Sequence, residues 1–141
     1  MILIIDDEQM ILDSLTNFFA LDTDYEIKAF ISPKEAIEFA TNNDIEVVIS
    51  DFLMPEMDGI SLLQEMRRVS PLATRILLTG FADKENAIKA INEVRLFQYI
   101  EKPWENADLK IIIGNGIERS RLLHDIKKAK AFEMKVVESL I

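Results

Sequence analysis

The stretch Val47-Val48-Ile49-Ser50-Asp51-Phe52-Leu53-Met54-Pro55-Glu56-Met57-Asp58-Gly59 decides how this chain folds. Its opening residues, Val47-Val48-Ile49, are β-branched and too few for a helix, so they predict a strand buried on both faces. The strand stops at an acid, Asp51. A loop then opens with Pro55 and closes on Asp58-Gly59, a turn signal. Open α/β sheets carry their chemistry at the carboxyl ends of central strands, where Asp51 would stand. Taken alone, a strand-end Asp reads as the cap of a turn. Asp51 is not alone, and the surrounding chain supplies what a reactive carboxylate needs.

Upstream, Ile2-Leu3-Ile4-Ile5 is an apolar run that ends at Asp6-Asp7-Glu8. Ile11, Leu15, Phe18 and Phe19 follow at helical spacing and predict a helix over about residues 8–20, broken by Asp22-Thr23-Asp24. Residues 25–30 alternate apolar and polar, as a strand nearer the sheet edge does. Ser32-Pro33 followed by Glu35 is a helix start, with Ser32 as N-cap and Pro33 at the first helical position. Downstream, Ile60, Leu62, Leu63 and Met66 mark a third helix that stops before Pro71. Residues 75–80 and 97–100 read as two further strands, separated by a helix carrying Ala87, Ala90, Ile91 and Val94. The five strand starts, near residues 2, 25, 46, 75 and 97, lie 21 to 29 residues apart, the length of one strand-helix unit. Such alternation predicts an α/β fold, a parallel sheet with helices on both faces.

From about Asn106 the pattern is helical to the end. Leu109, Ile112, Ile113 and Ile117 should pack on the sheet, while Gly114 and Gly116 weaken the helix locally, each by about 1 kcal/mol against Ala. Beyond them Leu122, Ile126, Ala129, Val136 and Leu140 fall at three-four spacing, with Glu133 in the same seam. This divides the chain into a domain over residues 1–120 and a helical extension over 121–141, which leads toward a further domain beyond residue 141.

Composition narrows the class. The chain has 141 residues, enough for one domain with a sizeable core. No apolar run is long enough to span a bilayer. The absence of cysteine fits a cytoplasmic protein. Residues 1–117 carry 10 basic and 21 acidic side chains, net −11, whereas residues 118–141 carry 6 and 4, net +2. The acidic body argues against direct binding of nucleic acid by this segment.

In a parallel sheet all carboxyl ends share one edge, so Asp6, Asp7, Asp51, Thr79 and Lys102 converge there. Three carboxylates held close repel one another unless a cation sits among them. Hard oxygen ligands in a half-open site suit a divalent ion such as Mg2+, which completes its shell with water and a substrate phosphate. Lys102 could hold a phosphoryl oxygen and the Thr79 hydroxyl could donate to another. Asp51 is then the nucleophile, forming an acyl phosphate.

On these residues, over positions 1 to about 120, the chain resembles the receiver domain of two-component response regulators. The motifs are Asp6-Asp7 after the first strand, Asp51 with Met54-Pro55 and Asp58-Gly59, Thr79-Gly80, and Lys102-Pro103. The resemblance implies a doubly wound, flavodoxin-like receiver fold with five strands in the order 2-1-3-4-5. It also implies phosphorylation of Asp51 by a sensor histidine kinase or a phosphotransfer protein. Magnesium would be held by Asp7, Asp51 and the main-chain carbonyl of Leu53, with Asp6 acting mostly through water. Thr79 and Tyr99 match the switch pair that reorients on phosphorylation, and Lys102-Pro103 the usual cis peptide.

Leu53 and Phe81, two residues past Asp51 and Thr79, are both apolar and could shield an acyl phosphate from water, which favours slow self-dephosphorylation. A magnesium-dependent phosphatase of the haloacid dehalogenase kind also uses Asp, Thr and Lys, but it needs an acid where this chain has Leu53. A degenerate receiver would have lost an acid or the lysine. The expectation is therefore a signalling switch rather than an enzyme; the apolar seam of the tail reads either as a solvated amphipathic extension or as a dimerising helix, and a homodimer through it is expected. His124, the only histidine, and Lys127, Lys128 and Lys130 read as a solvated helix surface, and Trp104 as an anchor for the last helix.

Overall fold

The structure, a computed structural model, describes residues 1–140, with side chains for all of these except Phe81, Glu93 and Val94. Five strands alternate with five helices: β1 Ile2–Ile5, α1 Gln9–Asp22, β2 Ile27–Phe30, α2 Pro33–Thr41, β3 Val47–Asp51, α3 Gly59–Val69, β4 Thr74–Thr79, α4 Lys84–Val94, β5 Gln98–Glu101 and α5 Asn106–Leu140. All four strand pairings are parallel, in the order β2-β1-β3-β4-β5. The order places β1 and β3, which end beside Asp6 and at Asp51, next to each other at the centre of the sheet.

The central strands β1, β3 and β4 are buried throughout, while β2 and β5 at the edges are only partly covered. Because side chains alternate along a strand, each central strand feeds two cores. Ile2, Ile4, Val47, Ile49, Ile76 and Leu78 face α1 and α5, meeting Leu15, Phe19, Leu109 and Ile113. Leu3, Ile5, Val48 and Leu77 face α2, α3 and α4, meeting Ala36, Leu62, Leu63, Met66 and Ala87. Full burial of one such Ile or Leu side chain contributes roughly 1.5–3 kcal/mol, so the two layers hold the strand ends rigidly.

Local chemistry sets the boundaries. The Ser32 hydroxyl caps α2 by accepting from the Glu35 amide, and Asp58 caps α3 by accepting from the Ser61 amide at 2.8 Å. The strand expected from residue 25 starts at Ile27. The Thr23 hydroxyl donates to the Phe19 carbonyl and accepts from the Tyr25 amide, so the Tyr25 amide is bonded locally and not in the sheet. The Tyr25 ring nevertheless packs on the α1 side of the core. The first helix likewise runs on to Asp22 before Thr23 ends it. A single 3-10 turn, Phe81–Asp83, precedes α4.

α5 is one unbroken helix of 35 residues, about 52 Å at 1.5 Å per residue. Its root is fastened to the base of the sheet. Thr74 Oγ1 donates to the Gly116 carbonyl at 2.6 Å, Ser120 Oγ donates to the Leu72 carbonyl at 2.8 Å, and Arg121 Nε donates to Glu46 Oε2 at 2.8 Å. Ser120 is the last buried residue of the helix.

Candidate functional site

The site lies at the carboxyl edge of the two central strands. Asp51 closes β3, and its neighbour Phe52 extends the ladder by donating its amide to the Leu78 carbonyl. Gly59, at the start of α3, donates its amide to the Phe52 carbonyl at 2.7 Å. A Cβ at Gly59 would strike the Asp51 carbonyl group, so only glycine lets α3 begin this close to the site. Asp6 follows β1 and is fully buried, its Oδ1 accepting from the Glu8 amide at 2.9 Å. Asp7 is exposed and makes no hydrogen bond or ion pair among the described residues.

Asp6, Asp7 and Asp51 each bring a carboxylate oxygen into a group spanning no more than 4.8 Å. Lys102 follows β5, where its amide donates to the Thr79 carbonyl, and the Lys102-Pro103 peptide is cis. Its Nζ lies 2.9 Å from Asp51 Oδ1 and 3.0 Å from Asp6 Oδ2. The ammonium therefore sits among the acids, bridging the two buried ones.

Burial pushes the carboxyls of Asp6 and Asp51 above their ordinary range, against the hydrogen bonds from Lys102. Burial acts on the Lys102 ammonium in the opposite sense, but the two carboxylates win and hold it above its usual value. With three carboxylates and one ammonium, the cluster carries an excess of two negative charges, which a hard divalent cation would balance. Asp7, unpaired and open to solvent beside the buried pair, completes a donor set of oxygen atoms that fits such an ion.

Thr79 ends β4, fully buried, with its hydroxyl on the Gly80 carbonyl at 3.2 Å. Tyr99, in β5, is half-buried against the core layer beneath α4. Leu53 presents its side chain to solvent, 58% exposed. The side chain of Phe81, its expected partner in shielding the site, lies outside the described residues. Trp104 packs on the α1–α5 core and, with Ile11 and Pro103, lines a groove beside Lys102. His124 is remote, on the base side of α5, with Nδ1 2.8 Å from the Ser120 carbonyl.

One residue near the site escapes a reading of the sequence. Glu56, in the loop after Asp51, accepts from the Ser32 hydroxyl at 3.0 Å and lies 3.8 Å from Lys34 Nζ. This ties the loop after β3 to the start of α2. Glu56 follows Pro55 with no local signal of a partner; only the packing of β2 beside β1 brings Ser32 within reach.

A five-stranded parallel sheet with acids at the central strand ends and a lysine between them defines an α/β protein with an acidic, lysine-bridged pocket at the carboxyl edge of its sheet. Comparison with known proteins gives the family. The model of the response regulator receiver domain matches residues 2–114, and the chain belongs to that family. Receiver domains are phosphorylation-controlled switches of two-component systems and bind Mg2+ at their acidic pocket.

Among relatives, the hydrogenase transcriptional regulatory protein HoxA of Cupriavidus necator is 30% identical over 127 residues. The match covers 90% of this chain but 26% of HoxA, so the chain spans about a quarter of that relative's length. A receiver domain protein from Clostridium thermocellum is 39% identical with a TM-score of 0.79, covering 86% of this chain and 97% of that one. A structure described as adenylate cyclase from Rhodopirellula baltica has a TM-score of 0.85 at 30% identity, covering 92% and 96%.

Proposed function

We propose that Asp51 is the phosphoryl acceptor of this receiver, charged by a sensor histidine kinase or a phosphotransfer protein. We further propose that residues 1–120 are the switch and residues 121–141 the connection to an output domain beyond Ile141. The observation that carries this reading is the position of the Asp51 carboxylate. It stands at the end of the central strand, within 4.8 Å of two other acids and 2.9 Å from the Lys102 ammonium.

The Asp51 carboxylate oxygen attacks phosphorus and displaces the imidazole of the donor histidine. Asp7, Asp51 and the Leu53 carbonyl would hold Mg2+, with Asp6 behind them. When bound, the ion supplies positive charge against the incoming phosphoryl oxygens. Lys102, released from one of its two carboxylates, turns to a phosphoryl oxygen. The Thr79 hydroxyl leaves the Gly80 carbonyl for another, and Tyr99 follows into the space this opens. A signal is thereby written as a changed surface of α4, β5 and α5.

The reading does not make this chain a phosphatase. Leu53 stands where a haloacid dehalogenase-type enzyme needs an acid, and it points to solvent. Direct contact with nucleic acid is not assigned to this segment, whose body is strongly acidic. No helix among the described residues is long and apolar enough to cross a membrane, and we place the switch in the cytoplasm, where a kinase donor would reach it. The exposed apolar side of α5 pairs two copies into a homodimer.

Intact-mass analysis after incubation with acetyl phosphate tests the assignment. The parent should gain one phosphoryl group only with Mg2+ present, and Asp51→Asn should gain none. An equal adduct in the variant would remove Asp51 from its role.

A further inference from the structure

α5 has two faces about 180° apart at 3.6 residues per turn. One is turned to the body. Leu109, Ile113 and Ile117 are buried on it, and farther along His124, Lys127 and Lys128 line a cleft of about 720 Å³ against the base of α2 and the loop after α3. The other is turned away and carries Leu122, Ile126, Val136 and Leu140, which are 55%, 51%, 41% and 80% exposed. Ala129 and Glu133 complete that face, both exposed. The body therefore packs on the side of the helix opposite the apolar seam only as far as His124, where the covered residues end, and leaves the seam free for a partner helix.

Resting on the dimer reading above, we propose that the seam meets the same seam of a second copy in parallel and in register, with Glu133 facing Glu133 of the second copy. Leu122, Ala129 and Val136 then occupy one core position of the heptad, and Ile126, Glu133 and Leu140 the other.

The residues flanking the seam choose the orientation. A parallel pair brings Asp125 to Lys130 of the second copy and Phe132 to Val137 of the second copy, and symmetry repeats both contacts. The first joins opposite charges; the second buries two exposed apolar side chains, Phe132 at 68% and Val137 at 56%. An antiparallel pair on the same seam would match Leu122 with Leu140, Ile126 with Val136 and Ala129 with Glu133. It would also bury Phe132 against Phe132 and Leu123 against Val137, so apolar burial does not separate the two forms; the charges do, because it sets Lys130 against Lys130 and leaves Asp125 beside Ser139, without a cation.

The parallel form carries one unfavourable layer, the facing Glu133 pair. Lys130 lies three residues before Glu133 on the same helix face and moderates it. A single polar core layer fixes register and number of strands at a cost in stability. It keeps the pair weak enough to respond to the domain that holds it.

The chain has no cysteine, so one introduced thiol is unique. The full chain carrying Ala129→Cys should collect as a disulfide-linked dimer in a glutathione redox buffer, because facing residues at this position are spaced for a disulfide. An equimolar mixture of Ala129→Cys and Glu133→Cys chains should give mainly like-with-like dimers. Mainly mixed dimers would show an antiparallel pair and overturn the proposal while leaving dimerisation intact. No cross-linking in either sample would overturn both. Independently, Glu133→Leu should tighten the dimer about tenfold or more in sedimentation equilibrium, as removal of one unfavourable layer worth about 1.4 kcal/mol requires. An unchanged or weaker dimer would place Glu133 outside the seam.

Discussion

Lys102 is the residue on which the resting site balances. Its ammonium neutralises one charge of a buried pair of acids, at 2.9 and 3.0 Å, and it is itself mostly buried. Replacing it with Ala would leave Asp6 and Asp51 facing each other without a cation, a change that costs about 3 kcal/mol when an ion pair is well buried. In urea denaturation without metal, Lys102→Ala should lose stability on this scale, and Mg2+ should restore more stability to it than to the parent. The phosphorylated variant should fail to move Tyr99 and α4, because the group that follows the phosphoryl oxygen is gone. A variant as stable as the parent without metal would mean that the bridge contributes nothing. The convergence of Asp6, Asp7, Asp51, Thr79 and Lys102 was legible in the sequence, because a parallel sheet must bring all its carboxyl ends to one edge. The bridging of Asp6 by Lys102 was not, since it depends on how far one flexible side chain reaches across two strands. For the same reason the Ser32–Glu56 contact left no trace in the sequence.

At the scale of elements, the glycines separate into those the packing demands and those it does not. Gly59 opens α3 against the Asp51 carbonyl group, and its replacement by Ala should cost about 2 kcal/mol and lower phosphoryl uptake, since either α3 or Asp51 must shift. Gly114 faces open space, so Gly114→Ala should stabilise α5 by about 1 kcal/mol in thermal unfolding. Gly116 would place a Cβ 3.2 Å from the Thr74 methyl, beside the bond that fastens α5 to β4, and should show no such gain. The sequence marks both as helix-weakening residues; only the packing tells them apart. Glu46 makes a further test at the root of α5. Burial pushes its carboxyl up, but the bonds from the Met1 amino group and Arg121 prevail and hold it below its ordinary value. A carboxyl lowered in the folded state adds stability above its unfolded pKa and loses it as pH falls through the folded value. The stability difference between the parent and Glu46→Gln should therefore be full at neutral pH, on the order of 1 kcal/mol, and vanish in strong acid. A difference independent of pH would deny the carboxylate this role. Strand boundaries were legible to within two residues. The early start expected for β2 misses because the Thr23 hydroxyl competes locally for the backbone, a contact with no periodic signature.

Across the whole molecule, the switch and its connection differ in how firmly they are held. Among the described residues α4 buries only the small side chains of Ala87 and Ala90, with Ile91 packed partly on the same core, and its N-cap Asp83 makes no side-chain cap. It should show the least hydrogen-exchange protection of the helices in the body, and phosphorylation should change its protection most. Equal protection of α3 and α4 in both states would remove α4 as the moving part. α5, in contrast, is fastened at Thr74, Leu72 and Glu46 and then leaves the body as a continuous rod. The regular spacing of strands made the layered sheet readable from the chain alone, and the three-four spacing beyond Ile117 made the long helix readable. The direction in which the helix faces was not readable, because it follows from which side of α5 the body claims. The proposed switch rests on Asp51 as the point where the signal would enter. Borohydride reduction of the protein after treatment with acetyl phosphate and Mg2+, followed by peptide mapping, tests that point most directly, since an aspartyl phosphate is reduced to homoserine. The expected result is homoserine at position 51 alone, and none when Mg2+ is withheld. Homoserine at position 6 or 7, or unmodified Asp51 in a protein that has gained a phosphoryl group, would contradict it.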